Sequence, residues 1–448
     1  MRKLQTKFET FRSNSALLGE LKWIAFEKVV QFGLQLVALK ILSAGLGKRL
    51  FGEYSLILSG LAFAGFVLIL PLQSTFLRNY HAAVSSGELE KWNWFSLRWL
   101  LFVALLLIAI TSLTWPRLPG RGQFLVLCAL AFFLSNYVRI FGVVLLNIQR
   151  LRKSVALQSV GYLFVQFALF CLVVLWLPVP RDNLPGFVLL ASSFSASIFL
   201  FFGFRAWLRS IGSNASASHV EIRRGIFSYG VPCGLLMMLQ WVQSFSDRYV
   251  LASQVSVESA GHFVAVFQVC GFPFMMTWFV MEALITPIIF SRARDAADES
   301  QLWEAMKVIL LAVASFLFCG VLGFFGFLLF GKRLLVLLTS HEFVVSTPII
   351  LILSLARFFQ CLSFVLDLVF QVRKKIFISF SYRFISAVTS VPILIFCTRS
   401  WGFRGAVYGA LLIHGCYLFM QLFAPGGCFL FIVRTRRAAL RQARSARL

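Results

Sequence analysis

Long apolar stretches separated by short polar segments run along almost the whole chain. Stretches such as Leu100–Ile110 are continuously apolar, whereas a strand of a membrane barrel alternates apolar and polar residues. A helix of about 20 apolar residues crosses a bilayer and satisfies its own backbone hydrogen bonds. The pattern therefore predicts an all-α polytopic membrane protein with about twelve spans, at residues 22–44, 53–76, 94–115, 123–147, 155–178, 186–208, 226–250, 260–290, 303–330, 345–370, 377–398 and 405–433.

The basic residues between these spans predict the topology. Lys and Arg concentrate in the segments that face inward when the N-terminus is placed in the cytoplasm, for example Arg150–Lys153 and Arg373–Lys375. Cytoplasmic loops of membrane proteins collect such residues. We therefore expect both termini in the cytoplasm, and we attribute the net charge of +25 to topology. This interpretation excludes a nucleic acid as the expected partner.

Composition supports the membrane assignment and restricts the chemistry. Hydrophobic residues make up 59% of the chain and charged residues 13%, against about 25% charged in soluble domains. The nine Cys form no Cys-x-x-Cys or Cys/His pattern, so we expect neither metal ligands nor disulfides. No phosphate-binding Gly-Lys-Ser/Thr motif or paired-carboxylate site is present, and we expect no catalytic residues, no bound cofactor and no enzymatic activity.

A polar connection divides the spans into two groups of six. We predict a cytoplasmic amphipathic N-terminus at residues 1–20, an N-lobe with helices 1–6 at 21–208, a cytoplasmic linker at 209–224, a C-lobe with helices 7–12 at 225–433, and a basic cytoplasmic tail at 434–448. Weak echoes relate the lobes: Phe51–Tyr54 resembles Ala260–Phe263, and Gln149–Lys153 resembles Gln371–Lys375. Six spans per lobe imply a pseudo-two-fold axis along the membrane normal.

Charged residues within predicted spans mark candidate functional positions, since a charge at mid-bilayer costs at least about 2.5–3.5 kcal/mol. Arg139 and Arg357 lie near the middle of spans 4 and 10, which are equivalent in the two lobes. They either pair with an acid to fix packing or bind a phosphate, which the planar guanidinium group suits. The candidate cavity residues for substrate binding are Arg139, Arg357, Arg248, Lys40 and Lys28.

Acids within the spans are candidates for coupling transport to an ion gradient, and prolines within the spans are candidates for gating. The coupling or ion-pair candidates are Glu27, Asp247, Glu282 and Asp367. Each could carry a proton or neutralise one of the basic candidates. Arg383 lies near a predicted inner interface and is expected to extend to the lipid headgroups. Because proline kinks helices, the expected gating and kink positions are Pro71, Pro232, Pro273 and Pro287.

Several short motifs resemble those of Wzx-type polysaccharide and O-antigen flippases, which belong to the multidrug/oligosaccharidyl-lipid/polysaccharide (MOP) exporter superfamily. The sequence departs from the family pattern at His262-Phe263, where an aliphatic residue and Tyr are more usual. The stretches that carry the resemblance are Ser228–Pro232, Asp247–Leu251, Ala260–Phe263, Pro287, Ser291-Arg292, Phe51–Ser55 and Gln149–Lys153.

The resemblance implies a MATE/MOP flippase-like fold, with two six-helix lobes around a cavity that opens alternately to each side. It implies translocation of an undecaprenyl-pyrophosphate-linked oligosaccharide, an O-antigen or exopolysaccharide repeat unit, across the bacterial inner membrane for polysaccharide or lipopolysaccharide biosynthesis. It also allows coupling to a proton or sodium gradient. The expected partners are the lipid-linked oligosaccharide and the bilayer, with a polysaccharide polymerase and other assembly proteins as further candidates.

Two alternatives remain open. A cation-coupled exporter of small molecules from the same superfamily would require a cavity dominated by acids, and here basic residues at least match them. A membrane-embedded polysaccharide polymerase or glycosyltransferase usually requires a sizeable outer loop or paired carboxylates. The predicted outer loops are all short.

Overall fold

A computed structural model describes residues 2–85, 89–149, 151–209, 226–292, 299–373 and 375–445. Every extended regular element in these ranges is a helix, which confirms the predicted all-α class. The α-helices are α1 (Arg2–Leu68), α2 (Leu70–Ser85), α3 (Leu89–Thr114), α4 (Gly120–Ile148), α5 (Arg152–Cys171), α6 (Leu184–Arg209), α7 (Val231–Gln254), α8 (Val257–Arg292), α9 (Glu299–Leu338), α10 (Thr347–Val372), α11 (Ile376–Phe423) and α12 (Cys428–Ser445).

Two of these helices each contain one predicted span and most of the next, joined at a glycine: α1 ends at Leu68, within the span 53–76, and α11 ends at Phe423, within the span 405–433. In α1 the backbone breaks at Gly47 (φ 66°, ψ 176°), and in α11 it breaks at Gly402 (φ 57°, ψ −133°). Such conformations are accessible mainly to glycine. Within the described residues, nine helical stretches are long and apolar enough to cross a membrane, and Lys22–Leu68 and Phe377–Ala438 are among them.

The end of the chain differs from the sequence-based expectation. The predicted twelfth span, 405–433, ends at Phe423, and a turn with Gly426 at φ 86° leads into α12. Pro425, Gly426 and Gly427 form a turn that interrupts the apolar run, and the predicted span passed over this turn signal. Residues 434–445 of the predicted tail are helical, and residues 446–448 lie outside the described part. At the other end, α1 continues from Arg2 into the first span without a break before Gly47.

The chain forms two compact units, Met1–Met238 and Leu239–Leu448, with the boundary inside α7. The predicted linker 209–224 lies outside the described residues except for Arg209. Each unit has its own core.

In the first unit, α4 packs along α6 and α1 packs along α5. The side chain of Phe76 is buried against the rings of Tyr80, Trp92 and Phe141. One non-helical residue separates α1 from α2, and the indole of Trp99 donates a 2.7 Å hydrogen bond to the Leu68 carbonyl at this break. The bond holds α3 against the helix interruption.

In the second unit, α10 packs against α8, α9 and α11, and much of its side-chain surface is buried. The ring of Phe358 on α10 stacks on Phe316 and meets Phe274 edge to face. A Cβ atom at Gly320 would lie 2.3 Å from the Phe358 ring. Small residues on α9 thus allow α10 to lie deep in the unit. Helix α10 carries the charged residues Arg357 and Asp367.

Candidate functional site

The side chain of Arg357 on α10 is held by an aromatic ring and an amide. Its guanidinium carbon lies 3.7 Å from the centroid of the Phe267 ring on α8, and Nη1 donates a 2.6 Å hydrogen bond to Gln360 Oε1. Gly271, one turn beyond Phe267, leaves room for it, because a Cβ atom there would lie 2.9 Å from Arg357 Nε. The stacking and the hydrogen bond orient a half-buried positive charge.

Gln360 connects this arginine to α7. Its amide nitrogen donates a 2.9 Å hydrogen bond to Ser244 Oγ. One turn further along α7, Asp247 and Arg248 are both buried and interact electrostatically with Arg357. The carboxylate of Asp247 accepts a 2.7 Å hydrogen bond from the backbone N–H of Arg248. The structure therefore brings three predicted site residues into one polar cluster within the second unit.

His414 on α11 is a member of this cluster that the sequence interpretation missed. Its side chain is buried, and Nδ1 has no hydrogen-bond partner among the described residues. It interacts electrostatically with Arg357. An ionisable residue inside an apolar helix is itself a signal of function, and applying that rule to histidine as well as to Arg, Lys, Asp and Glu would have identified it.

Arg139 on α4 is held in the same manner within the first unit. Its guanidinium carbon lies 3.7 Å from the centroid of the Tyr162 ring on α5, and Nη2 donates a 3.1 Å hydrogen bond to Asn136 Oδ1. The buried Nε atom has no partner among the described residues. Both central arginines thus combine ring stacking with a bond to an amide one turn away.

In the described part of the chain, neither central arginine forms a direct ion pair, since no carboxylate there lies within ion-pair distance of Arg139 or Arg357. Ring and amide contacts position a guanidinium group without cancelling its charge. Arg139 can therefore attract an anion, whereas the attraction of Arg357 for an anion is shared with Asp247, which interacts with it electrostatically.

Asp367, by contrast, is neutralised within the protein. Its carboxylate pairs with Arg383 of α11 and accepts 2.9 Å hydrogen bonds from Ser379 Oγ and Gln421 Nε2. Arg383 also donates a 2.6 Å bond to Gln240 Oε1 on α7. The expectation that Arg383 extends to the headgroups is therefore wrong, because the acid on the neighbouring helix provides a buried counter-charge.

The remaining predicted residues lie elsewhere or pair locally. Lys28 Nζ lies 3.7 Å from Glu27 and 3.2 Å from Gln31 Oε1. Lys40 is half-buried on α1, and Glu282 is exposed on α8.

The predicted prolines take different positions. Pro71 follows the break between α1 and α2, Pro232 is the second residue of α7, and Pro273 and Pro287 lie within α8. The side chain of Pro287 is outside the described residues. In the described ranges, no group of three His, Cys, Asp or Glu is arranged to hold a metal ion.

Comparisons of sequence find no relative. No protein-family profile matches the chain, and no curated protein matches it either. Comparison of structure gives clear similarities over almost the full length.

Three solved structures illustrate the similarity. A mutant of the Vibrio cholerae MATE transporter VcmN is 14% identical with a TM-score of 0.66, covering 95% of this chain and 98% of that one. The lipid II flippase MurJ in an inward closed conformation is 12% identical with a TM-score of 0.66, covering 93% and 91%. An inward-facing multidrug resistance MATE transporter of the MOP superfamily is 15% identical with a TM-score of 0.60, covering 93% and 95%. The chain has the MATE/MOP transporter fold.

Proposed function

We propose that this protein is a flippase that translocates an undecaprenyl-pyrophosphate-linked oligosaccharide across the bacterial inner membrane by alternating access. The observation that carries the proposal is how Arg139 and Arg357 are held, without a direct ion pair to a carboxylate among the described residues. Both guanidinium groups are oriented by a ring and an amide. Half-buried positive charges of this kind favour an anionic ligand, and a guanidinium group matches the geometry of a phosphate.

The fold supports transport of a lipid-linked substrate, because one protein that shares it is described as a lipid II flippase. Other proteins with this fold are multidrug transporters, so the fold alone does not select the substrate. A binding site for organic cations would require unneutralised acids. Here Asp367 is paired with Arg383, Glu53 is paired with Arg121, and Asp247 interacts electrostatically with two arginines, which favours the anionic substrate.

Asp247 is the acid that we assign to energy coupling with a proton or sodium gradient. Asp367 is neutralised, and Glu27 lies beside Lys28. Asp247 is buried and interacts electrostatically with Arg248 and Arg357. These three residues comprise two positive charges and one negative charge. A change in the charge of Asp247 would alter the attraction of the cluster for an anion.

In the same proposal both termini are cytoplasmic, and polysaccharide polymerase and other assembly proteins are partners.

The proposal is tested with the full-length protein in liposomes. The probe is a fluorescent undecaprenyl-pyrophosphate disaccharide, and its arrival in the opposite leaflet is followed by quenching. We expect flipping by the wild type, strong loss in Arg139→Ala and Arg357→Ala, and partial retention in the two Lys variants. Arg404→Ala, an exposed arginine of the second unit, is the matched control and should flip normally.

The role of the pyrophosphate is tested with two further probes, the same disaccharide on undecaprenyl monophosphate and on an uncharged prenyl ether. The arginine variants should lose the preference for the charged probes. Equal flipping of all three lipids, or full activity of both Ala variants, would exclude an anion site at these residues. Transport of an organic cation without lipid flipping would identify a small-molecule exporter.

A further inference from the structure

Helix α12 has two different sides at the end of the second unit. One side is buried: Cys428, Phe431 and Thr435, spaced three and four residues apart, are almost fully inaccessible. Cys428 Sγ donates to the Leu366 carbonyl at 3.6 Å, and the Phe431 ring meets Phe370 edge to face. These contacts dock α12 firmly on α10.

A charged contact fastens the same side. Arg373, which follows α10, forms a 3.0 Å ion pair with Glu299 at the start of α9 and also donates a hydrogen bond to Thr435. Its guanidinium carbon lies 5.5 Å from the Phe431 ring centroid. Arg373 thus connects α9, α10 and α12.

The other side of α12 is exposed and changes in character along the helix. Phe429 and Leu430 in the first turn are 56% and 37% exposed. Arg434, Arg436 and Arg437 in the following turns are exposed too. Residues 428–448 contain no acidic residue that could neutralise them.

Along the exposed side of α12, apolar residues are followed by basic residues. This order matches the boundary between the acyl chains and the headgroups of a bilayer. Exposed Phe and Leu are favourable in contact with acyl chains, and arginines placed one or two turns later reach the phosphate layer. The positive-inside rule explains the number of arginines but requires neither a docked helix nor an exposed apolar turn before them. Clustered arginines next to a membrane span attract anionic lipids.

We propose that α12 is an interfacial helix that binds anionic phospholipids through Arg434, Arg436 and Arg437, with Phe429 and Leu430 in the acyl region. Because Arg373 joins α12 to the ends of α9 and α10, lipid binding stabilises this end of the second unit.

The test uses the purified full-length protein in a neutral detergent, with thermal unfolding followed by tryptophan fluorescence. Phosphatidylglycerol or phosphatidylcholine is titrated over the same range of mole fractions, at low and high salt, so that the shift of the midpoint gives an apparent lipid affinity. The variant is Arg434→Gln/Arg436→Gln/Arg437→Gln. The matched control is Lys332→Gln/Arg333→Gln/Arg404→Gln, which removes three exposed charges elsewhere in the second unit.

We expect phosphatidylglycerol to raise the unfolding midpoint of the wild type and of the control, and high salt to reduce the effect. With roughly 1 kcal/mol for each arginine near the surface, the apparent lipid affinity of the α12 variant should fall by on the order of a hundredfold. An equal response to phosphatidylcholine, or the same response in the α12 variant as in the control, would overturn the proposal and leave the exposed side of α12 for a protein partner.

Discussion

Arg357 and Phe267 form a stacked pair between α10 and α8, with 3.7 Å between the guanidinium carbon and the ring centroid. The pair depends on a neighbouring glycine. A Cβ atom at position 271 would approach Arg357 Nε to 2.9 Å and Cδ to 3.0 Å. The space that positions the arginine is therefore defined by the absence of a side chain on α8.

We expect Gly271→Ala to displace Arg357 and lower lipid flipping by about tenfold or more, since displacements of about 1 Å in a binding group can cost up to about a hundredfold. Flipping in liposomes measures the effect. The midpoint of thermal unfolding should change much less, because the arginine side chain can move.

Gly326→Ala is the control, since nothing lies within 4 Å of a Cβ atom at that position. It should leave flipping unchanged. Normal flipping by Gly271→Ala would show that the position of Arg357 does not limit transport.

The buried pair between Asp367 and Arg383 has a structural role. Removing one partner leaves an uncompensated charge, which costs about 3–5 kcal/mol. Asp367→Asn and Arg383→Gln should each lower the unfolding midpoint strongly, while the double variant Asp367→Leu/Arg383→Met should be more stable than either. Thermal unfolding in detergent tests this order. A double variant Asp367→Asn/Arg383→Gln whose loss equals the sum of the two single losses would argue against direct coupling.

The sequence predicted the fold well because the signal of a membrane span is strong and local. Continuous apolar runs such as Leu100–Ile110 determine a helix without reference to the rest of the chain. The predicted gaps near Gly47 and Gly402 did not show that each glycine joins two helices directly, because a φ angle is set by tertiary packing. The last span was predicted to continue beyond the turn at Gly426.

The site was predictable only in part. The positions of Arg139 and Arg357 within their spans indicated importance, but their partners could not be derived, since Tyr162 and Phe267 lie on other helices at unrelated sequence distances. Arg383 was misplaced for the same reason. Its depth depends on Asp367, an acid that sequence spacing alone did not connect with it.

Glu53 at the start of the second predicted span holds the beginning of α4. It accepts a 2.5 Å hydrogen bond from Arg121 and lies 3.6 Å from Arg49, and Arg121 also donates to the Asp182 carbonyl at 2.9 Å. Glu53→Gln should therefore lower the stability of the first unit by about 1 kcal/mol.

The matched control is Glu304→Gln, which breaks the exposed pair with Lys307 and should have almost no effect. Thermal unfolding at low and high salt separates the two variants. Equal effects would show that the Glu53 pair is as weak as a surface pair.

Gly402 allows a test of the helix junction that is free of packing effects. Nothing lies within 4 Å of a Cβ atom there, but φ is +57°, so Gly402→Ala carries only the conformational cost, of order 1–3 kcal/mol. Gly33→Ala in the regular part of α1 also meets nothing within 4 Å, and it should instead stabilise by roughly 0.5–1 kcal/mol. The two substitutions add the same methyl group, so a difference in the sign of their unfolding shifts isolates the backbone. Destabilisation by both, to the same extent, would mean that the left-handed conformation at Gly402 does not determine how the two halves of α11 are joined.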